Sequence, residues 1–405
     1  MSVKQKFRKF YLTGDFKKND YSFNIDEVSK NNDKYLYNRA SLNIFCGEEH
    51  GTIKVSMMDG YFRDGSKKIR CIPKDKDGKN DFKSDPIWVS FDDRNNKDIL
   101  DKIGDINFIH VRIEKDLDNK LVDRKFITQY DVIAYLSEHL HDGDKIYISG
   151  NIEYGEYNNN PQLTLSPSYI SLQDDSADYR ASFTQSVIIT PDSFEGKESF
   201  DKDKYTLAFT GFVPQYVGNL NGKVIRDTIP YPWNFEFKVP KKENKDDQKN
   251  LISKIIKYYL KTKTIDEIAF DGKFISGATY KQATMDDLPE DLKIMIACGL
   301  ASKEETLAKC TIKEGGETRM VVESVHYNTS KDDDGNPVTT VYIDRDKYSE
   351  EDLEYSEKEE TKEVKEEKEV KEEKKMSVED MLDLADDGEN DDSEFDDLFD
   401  DDMDF

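Results

Sequence analysis

Short runs in which apolar and polar residues alternate fill the first 175 positions. "ASLNIFCG" and "TIKVSMMDGYF" flank "EEHG", a pattern that predicts two strands joined by a tight turn. "PIWVSF", "INFIHVRIEK" and "KLVDRKFIT" follow, the last two joined by "DLDN". The period then changes once. "QYDVIAYLSEHLHDGD" sets Val132, Ile133, Leu136 and Leu140 at helical spacing, with Gly143 as a stop signal. Strands resume in "KIYISGNIEY" and "QLTLSPSYISL", joined by the turn "GEYNNNP". A period of two puts Ile146, Ile148, Gly150 and Ile152 on one face and Tyr147 and Asn151 on the other.

Residues 176–343 have the same texture with more helix. "RASFTQSVIITP", "YTLAFTGFVPQYVG", "YPWNFEFKVP", "FDGKFISGATY", "ETRMVVESVHYNT" and "TTVYIDR" read as strands cut by Gly, Pro and Asn turns. "QKNLISKIIKYYLKT" aligns Leu251, Ile255 and Tyr258 or Tyr259 on one helical face. "LPEDLKIMIACGLASKEETLAKCTI" predicts two short helices separated at Gly299. Strands, one helix, then two more strands is the order of an oligonucleotide-binding (OB) barrel, whose helix lies between its third and fourth strands. The fold class expected is therefore mainly β, with five-stranded OB-like barrels, two in tandem, carrying helical insertions. Residues 1–175 form the first domain and residues 176–343 the second.

Beyond Tyr348 the alternation stops. "EKEETKEVKEEKEVKEEKK" repeats "KEVKEE" in tandem with valine as its only apolar residue, so residues 344–375 read as a charged linker that buries no core. Residues 376–405 read as a disordered acidic tail. "SVEDMLDLADDG" could turn once as a helix capped by Ser377, and "DDSEFDDLFDDDMDF" holds eight aspartates and one glutamate. Like charge keeps such a segment extended. Phe395, Leu398, Phe399, Met403 and Phe405 need a further reason, and docking on a basic patch with an apolar pocket supplies one.

The net charge of −27 is uneven. Residues 1–343 carry 50 basic against 56 acidic side chains, so the acid sits in the last segments and the body can hold a local basic groove. Four widely spaced cysteines, Cys46, Cys71, Cys298 and Cys310, read as reduced structural thiols. No apolar leader or membrane-length run occurs, so a cytoplasmic location is expected. Catalysis finds no constellation: there is no phosphate loop or nucleophile elbow, and His139 and His141, two apart, point to different faces. "KDKDGKND" and "KDDDGNP" read as Asp-Gly turns. A non-enzyme without metal or cofactor is expected.

Binding unpaired strands requires cations for phosphates and flat side chains for bases. "YFRDGSKKIRCIPK" offers Tyr61, Phe62, Arg63, Lys67, Lys68 and Arg70. Arg112, Lys115, Arg124 and Lys125 add charge, and Trp88, Phe91, Tyr147, Tyr154 and Tyr157 add rings. Trp88 and Phe91, three apart, need not share a strand face, and core burial is the competing role for each aromatic. In the second region Trp233, with Arg226 and Lys238 nearby, either extends that surface or packs inside.

"YDVIAYLSEHLHDGDKIYISGNIEYGEYNNNPQLTLSPSYI" resembles the end of the barrel in the bacterial and phage single-stranded DNA-binding protein family. That family runs from an amphipathic helix into a Gly-x-x-Val-Tyr-Val-x-Gly type strand, then a flexible hairpin and a last strand. The matching residues are Gly143, Ile146, Tyr147, Ile148 and Gly150, with Tyr154 and Tyr157 in the hairpin. The family also carries a disordered acidic tail ending in a phenylalanine, which residues 391–405 resemble, with Asp404 before Phe405 as in some phage versions. The resemblance implies a protein that binds single-stranded DNA without sequence preference and recruits replication and recombination proteins through its tail. The alternative is a scaffold of a replication or virion-assembly complex that touches no DNA; an accessory barrel of a nuclease or helicase is weaker still.

Overall fold

The computed structural model describes residues 3–353, apart from residues 31, 158–159, 197–198, 203, 221–222, 283–284, 286–287, 299, 304–305, 308–310 and 332–336. The expected tail and all of the linker from residue 354 lie outside the described residues.

The chain is mainly β, as its alternation predicts. Its first half runs β1 (Arg8–Lys17), β2 (Phe23–Val28), β3 (Tyr35–Phe45), β4 (Thr52–Phe62), β5 (Lys68–Cys71), β6 (Ile87–Ser90), a one-turn helix α1 (Lys97–Leu100), β7 (Ile109–Arg112), β8 (Arg124–Phe126), helix α2 (Gln129–His139), β9 (Lys145–Tyr157) and β10 (Asn160–Leu172). The second half runs β11 (Arg180–Ile189), β12 (Phe200–Asp201), β13 (Thr206–Leu220), β14 (Lys223–Lys238), helix α3 (Lys245–Ile255), β15 (Ile265–Gln282), helix α4 (Glu290–Ala297) and β16 (Thr311–Val325). Three short strands, Tyr327–Lys331, Pro337–Val341 and Ile343–Tyr348, follow. No helix among the described residues is long and apolar enough to cross a membrane.

β1 organises the first half. Phe10, Leu12 and Phe16 are fully buried on one face, which fixes the register because a one-residue slip would expose all three. One edge of β1 pairs with β9. The other edge is divided: Arg8 to Thr13 pair with β11 and Asp15 to Lys17 pair with β3. Gly14 stands at that change of partner, where a Cβ would collide with the Phe45 carbonyl. β3 and β4 pair without interruption from Tyr35↔Phe62 to Phe45↔Thr52. β9 and β10 form a hairpin, and β7 joins β10 in parallel.

Between β4 and α2, residues 63–128 build an insertion with its own small core of Cys71, Val89 and Ile103. The Asp75 carboxylate accepts from the backbone N–H of Asp77 and Lys79, making "KDKDGKND" a turn. α2 starts where Thr128 accepts from the Asp131 N–H, and it buries Val132, Ile133 and Leu136.

β11 repeats the arrangement of β1. One of its edges pairs with β15; the other is shared between β1 at Arg180 to Gln185 and β13 at Ile188. β13 pairs with β14, β14 with β16 in parallel, and β16 with β15. Each of β11, β13, β14, β15 and β16 therefore pairs with two of the others.

The two halves share one core, in which Phe10, Leu12 and Ile148 pack with Phe183, Val213 and Phe270. The tip of the β3–β4 hairpin also rests on β15, where the Ser276 N–H donates to the His50 carbonyl at 2.8 Å. Gly51 has φ +71° there, and a Cβ would collide with the Ser276 carbonyl.

Candidate nucleic-acid interface

The pleat of β3 and β4 sends Ala40, Leu42, Ile44, Ile53, Val55 and Met57 into the core. Their neighbours form the outer face by alternation. Across the ladder this face reads Tyr37 opposite Gly60, Arg39 opposite Met58, Ser41 opposite Ser56, Asn43 opposite Lys54, and Phe45 opposite Thr52. From Tyr37 to Phe45 the strip is about 27 Å long.

Both ends are aromatic. The Tyr37 ring lies 6.4 Å from that of Tyr35 at an interplanar angle of 19°, and Tyr35 meets Phe62 at 5.0 Å. At the other end Phe45 is edge-on to Tyr179 at 5.8 Å, with Lys17 6.0 Å above the Phe45 ring. Tyr179 donates to Asp15 at 2.9 Å, and the Lys145 ammonium sits 4.3 Å from its ring centre.

The middle holds Arg39 and Lys54. Among the described residues neither has a carboxylate within ion-pair distance. Burial and then the neighbouring Arg39 charge hold the Lys54 ammonium below the ordinary lysine value. Two like charges on a partly desolvated strip repel each other, and an external anion relieves that repulsion. Tyr37 is pushed up by burial and by Glu27, with Arg39 opposing.

The fifteen residues expected from the sequence are divided by the structure. Lys68, Arg70 and Trp88 come together on the exposed face of the β5–β6 ribbon, where Arg70 is directly opposite Trp88. Trp88 is 53% exposed, whereas Phe91 is 1% exposed. Phe91 stacks on Tyr61 at 4.3 Å and carries the Arg94 guanidinium 4.0 Å from its ring centre, so both of its faces are occupied. Tyr61 is half-buried in that stack, and Phe62 is half-buried against Tyr35. Lys67 is tied inward to Asp59 and donates to the Gly60 carbonyl at 2.7 Å. Arg63 is exposed.

Arg124 and Lys125 are held by Glu114 at 3.1 Å and Asp105 at 2.6 Å, and Lys115 is exposed in a bridge to Leu121. Arg112 donates to the Tyr169 hydroxyl at 3.0 Å, and Tyr147 lies edge-on to Tyr169 at 5.9 Å. Tyr154 points into the core, edge-on to the half-buried Trp233 at 5.0 Å. The backbone of β9 extends to Tyr157, whose side chain lies outside the described residues. Lys238 is paired with Glu323 at 2.9 Å, and Arg226 is exposed.

Tyr37, Arg39, Phe45 and Lys54 were missed by reasoning from clustered cations. The signal was present in "YLYNRASLNIF", whose alternation places Tyr37, Arg39, Ser41, Asn43 and Phe45 opposite the buried set.

No protein-family model matches the chain. No curated protein matches it either. Among solved structures, it is similar to a deletion mutant of the single-stranded DNA binding protein from Thermus aquaticus, with a TM-score of 0.29 and 6% identity over 67% of this chain and 88% of that one. An overlap that loose carries no weight for fold or function.

Proposed function

We propose that this protein binds single-stranded DNA without sequence preference, on OB barrels that occupy residues 1–175 and 176–343. The strand order supports two barrels. In each half three barrel strands precede a helix and two follow, as β1, β3, β4, α2, β9, β10 and as β11, β13, β14, α3, β15, β16. In each, the first strand pairs with the second and the fourth. In the second half the parallel pairs Glu236↔Val321 and Phe237↔Val322 link third to fifth strand, as a barrel would require.

The observation that carries the functional reading is the β3–β4 strip, where Arg39 and Lys54, with no carboxylate in ion-pair distance among the described residues, lie between aromatic ends. Cations without an acid in ion-pair distance neutralise phosphates, and the half-buried rings of Tyr37 and Phe45 stack bases at about 1–3 kcal/mol each. Trp88 with Lys68 and Arg70 extends the same chemistry onto the insertion. Binding only the unpaired form melts hairpins by mass action. The expected linker begins later than residue 344, because Ile343–Tyr348 pairs with β15 and buries Tyr348; in this reading residues 354–375 tether the tail, and residues 376–405 dock replication and recombination proteins while competing with DNA for the basic strip.

Fluorescence titration with oligo(dT) and duplex of equal length, at two salt concentrations, tests it. Quenching by the single strand only, weakening as salt rises and strengthening when residues 376–405 are deleted, is the expected result. Retention of neither nucleic acid at low salt would leave the protein a scaffold.

A further inference from the structure

A second polar patch lies on β1, β9 and β10, on the same outer face as the β3–β4 strip and beyond its Phe45 end. Alternation in β1 and β9 puts Tyr11 and Tyr147 outward, opposite the buried Phe10, Leu12, Ile146 and Ile148. Tyr169 joins them from β10, after the bulge at Pro167 to Tyr169 resets the register. Tyr169 and Tyr147 meet at 5.9 Å, and the Arg180 guanidinium from β11 sits 4.9 Å from the Tyr11 ring centre. Ser149 is the cross-strand partner of both Tyr11 and Tyr169, so the three tyrosines form an oblique file over three adjacent strands.

Aromatic neighbours on a sheet face stabilise it by packing alone. The cations beside this file are what set it apart. Lys9 donates to Asn151 at 2.8 Å, Arg112 to the Tyr169 hydroxyl at 3.0 Å, and Arg180 to Ser182 at 2.6 Å. All three partners are neutral. Several other ordered cations are fastened to acids, as in Arg94 to Asp131, Arg319 to Glu236 and Lys125 to Asp105. Arg112 also has a buried Nε with no partner among the described residues, an arrangement that costs stability unless an acceptor arrives. Acids bound the file on both sides: Asp105 and Asp123 flank His110, and Asp271 is held by Thr184 and His326. Between these limits Lys9, Arg112 and Arg180 have no acid within ion-pair distance among the described residues.

We infer that Tyr169, Tyr147 and Tyr11, with Arg112, Lys9 and Arg180, form a second track for single-stranded nucleic acid, engaged when a strand is too long for the β3–β4 strip. This rests on the strand-binding reading of that strip. The rings take bases, and the cations exchange neutral partners for phosphates.

The test compares the shortest oligo(dT) that saturates the full chain with one several times longer. Tyr147→Ala with Tyr169→Ala weakens the long oligomer at least about tenfold and leaves the short one unchanged. Arg112→Gln with Arg180→Gln lowers the salt slope on the long oligomer by about 1.4. This second pair decides the matter if the tyrosine pair does not fold. Arg39→Gln with Lys54→Gln weakens both lengths. If both file variants hold the long oligomer as the unaltered chain does, while the Arg39 and Lys54 pair loses it, the second track is wrong and the first strip stands. If the unaltered chain binds neither length, the strand-binding reading itself fails and the track falls with it.

Discussion

The Tyr154 hydroxyl, from β9, donates to Gln185 Oε1, from β11, at 3.1 Å inside the core that both halves share. The Tyr154 N–H also donates to Gln215 of β13 at 3.2 Å, and burial pushes its phenol well above the ordinary value, so the group stays a donor. Tyr154→Phe removes one bond and strands a buried acceptor, at a cost of about 1–3 kcal/mol. Tyr154→Ala also leaves a cavity, for about 3–5 kcal/mol. Urea denaturation followed by circular dichroism measures both. Because the core is continuous, each protein is expected to unfold in one transition; two separate transitions would show that the halves are independent.

Acid should loosen the hairpin tip. Lys273 of β15 pairs with Glu49 on the tip and with Glu323 of β16 at 2.8 Å. The hydrogen bond and charge of Lys273 hold the Glu49 carboxyl below the usual range. Burial pushes Glu323 up, but the bonds from Lys273 and Lys238 outweigh it and the net direction is down. A carboxylate with a depressed folded pKa contributes stability above its unfolded value of about 4.3, and that share is lost as pH falls through the folded value. For Lys273, burial opposes the charge, the carboxylates prevail, and its share is present below about 10.4. The urea midpoint is expected to fall below about pH 4.3. Lys273→Met should lower stability at neutral pH and flatten that acid slope; parallel slopes for both proteins would remove the pair from the explanation.

How legible was this in the chain? α2 was readable because Val132, Ile133 and Leu136 repeat at helical spacing, and all three are buried. β9 was readable for the same reason at a period of two. β1 was not, although Phe10, Leu12 and Phe16 alternate: lysines and arginine surround them, and the segment's importance comes from three partners far away in sequence. Charge runs misled the site. Lys67, Arg124 and Lys125 sit near acids that the fold supplies, whereas Arg39 and Lys54 are isolated in sequence and share one face only because β3 pairs with β4. Nothing in one strand shows which cations its neighbours will neutralise.

Thiol reactivity should follow burial. Burial, with a smaller contribution from Asp15, pushes the Cys46 thiol up to about 12, and burial also raises Cys71. Cys298 is exposed. Only thiolate attacks an alkylating reagent, so in the native protein at mildly alkaline pH iodoacetamide is expected to label Cys298 and spare Cys46 and Cys71. Urea should open both. Peptide mass mapping reads the result, and native labelling of Cys46 would mean that the hairpin tip opens without global unfolding.

Lys54 gives the strip a pH signature. Its ammonium is held below the ordinary lysine value by burial and by Arg39, so it begins to lose its proton below about pH 10.4. A bound phosphate favours the charged form and raises that value again, so strand binding on the alkaline side takes up a proton. Affinity for oligo(dT) should therefore fall as pH rises through the depressed Lys54 value. Tyr37 does not interfere, because burial and Glu27 move its phenol up, away from that window. Lys54→Gln is expected to weaken binding at neutral pH, reduce the salt slope by about 0.7 and abolish the alkaline fall. Lys54→Arg keeps its charge throughout and should bind equally well at both ends of the range. An alkaline fall of the same size in Lys54→Gln would place the titrating group elsewhere and remove Lys54 from the phosphate contact.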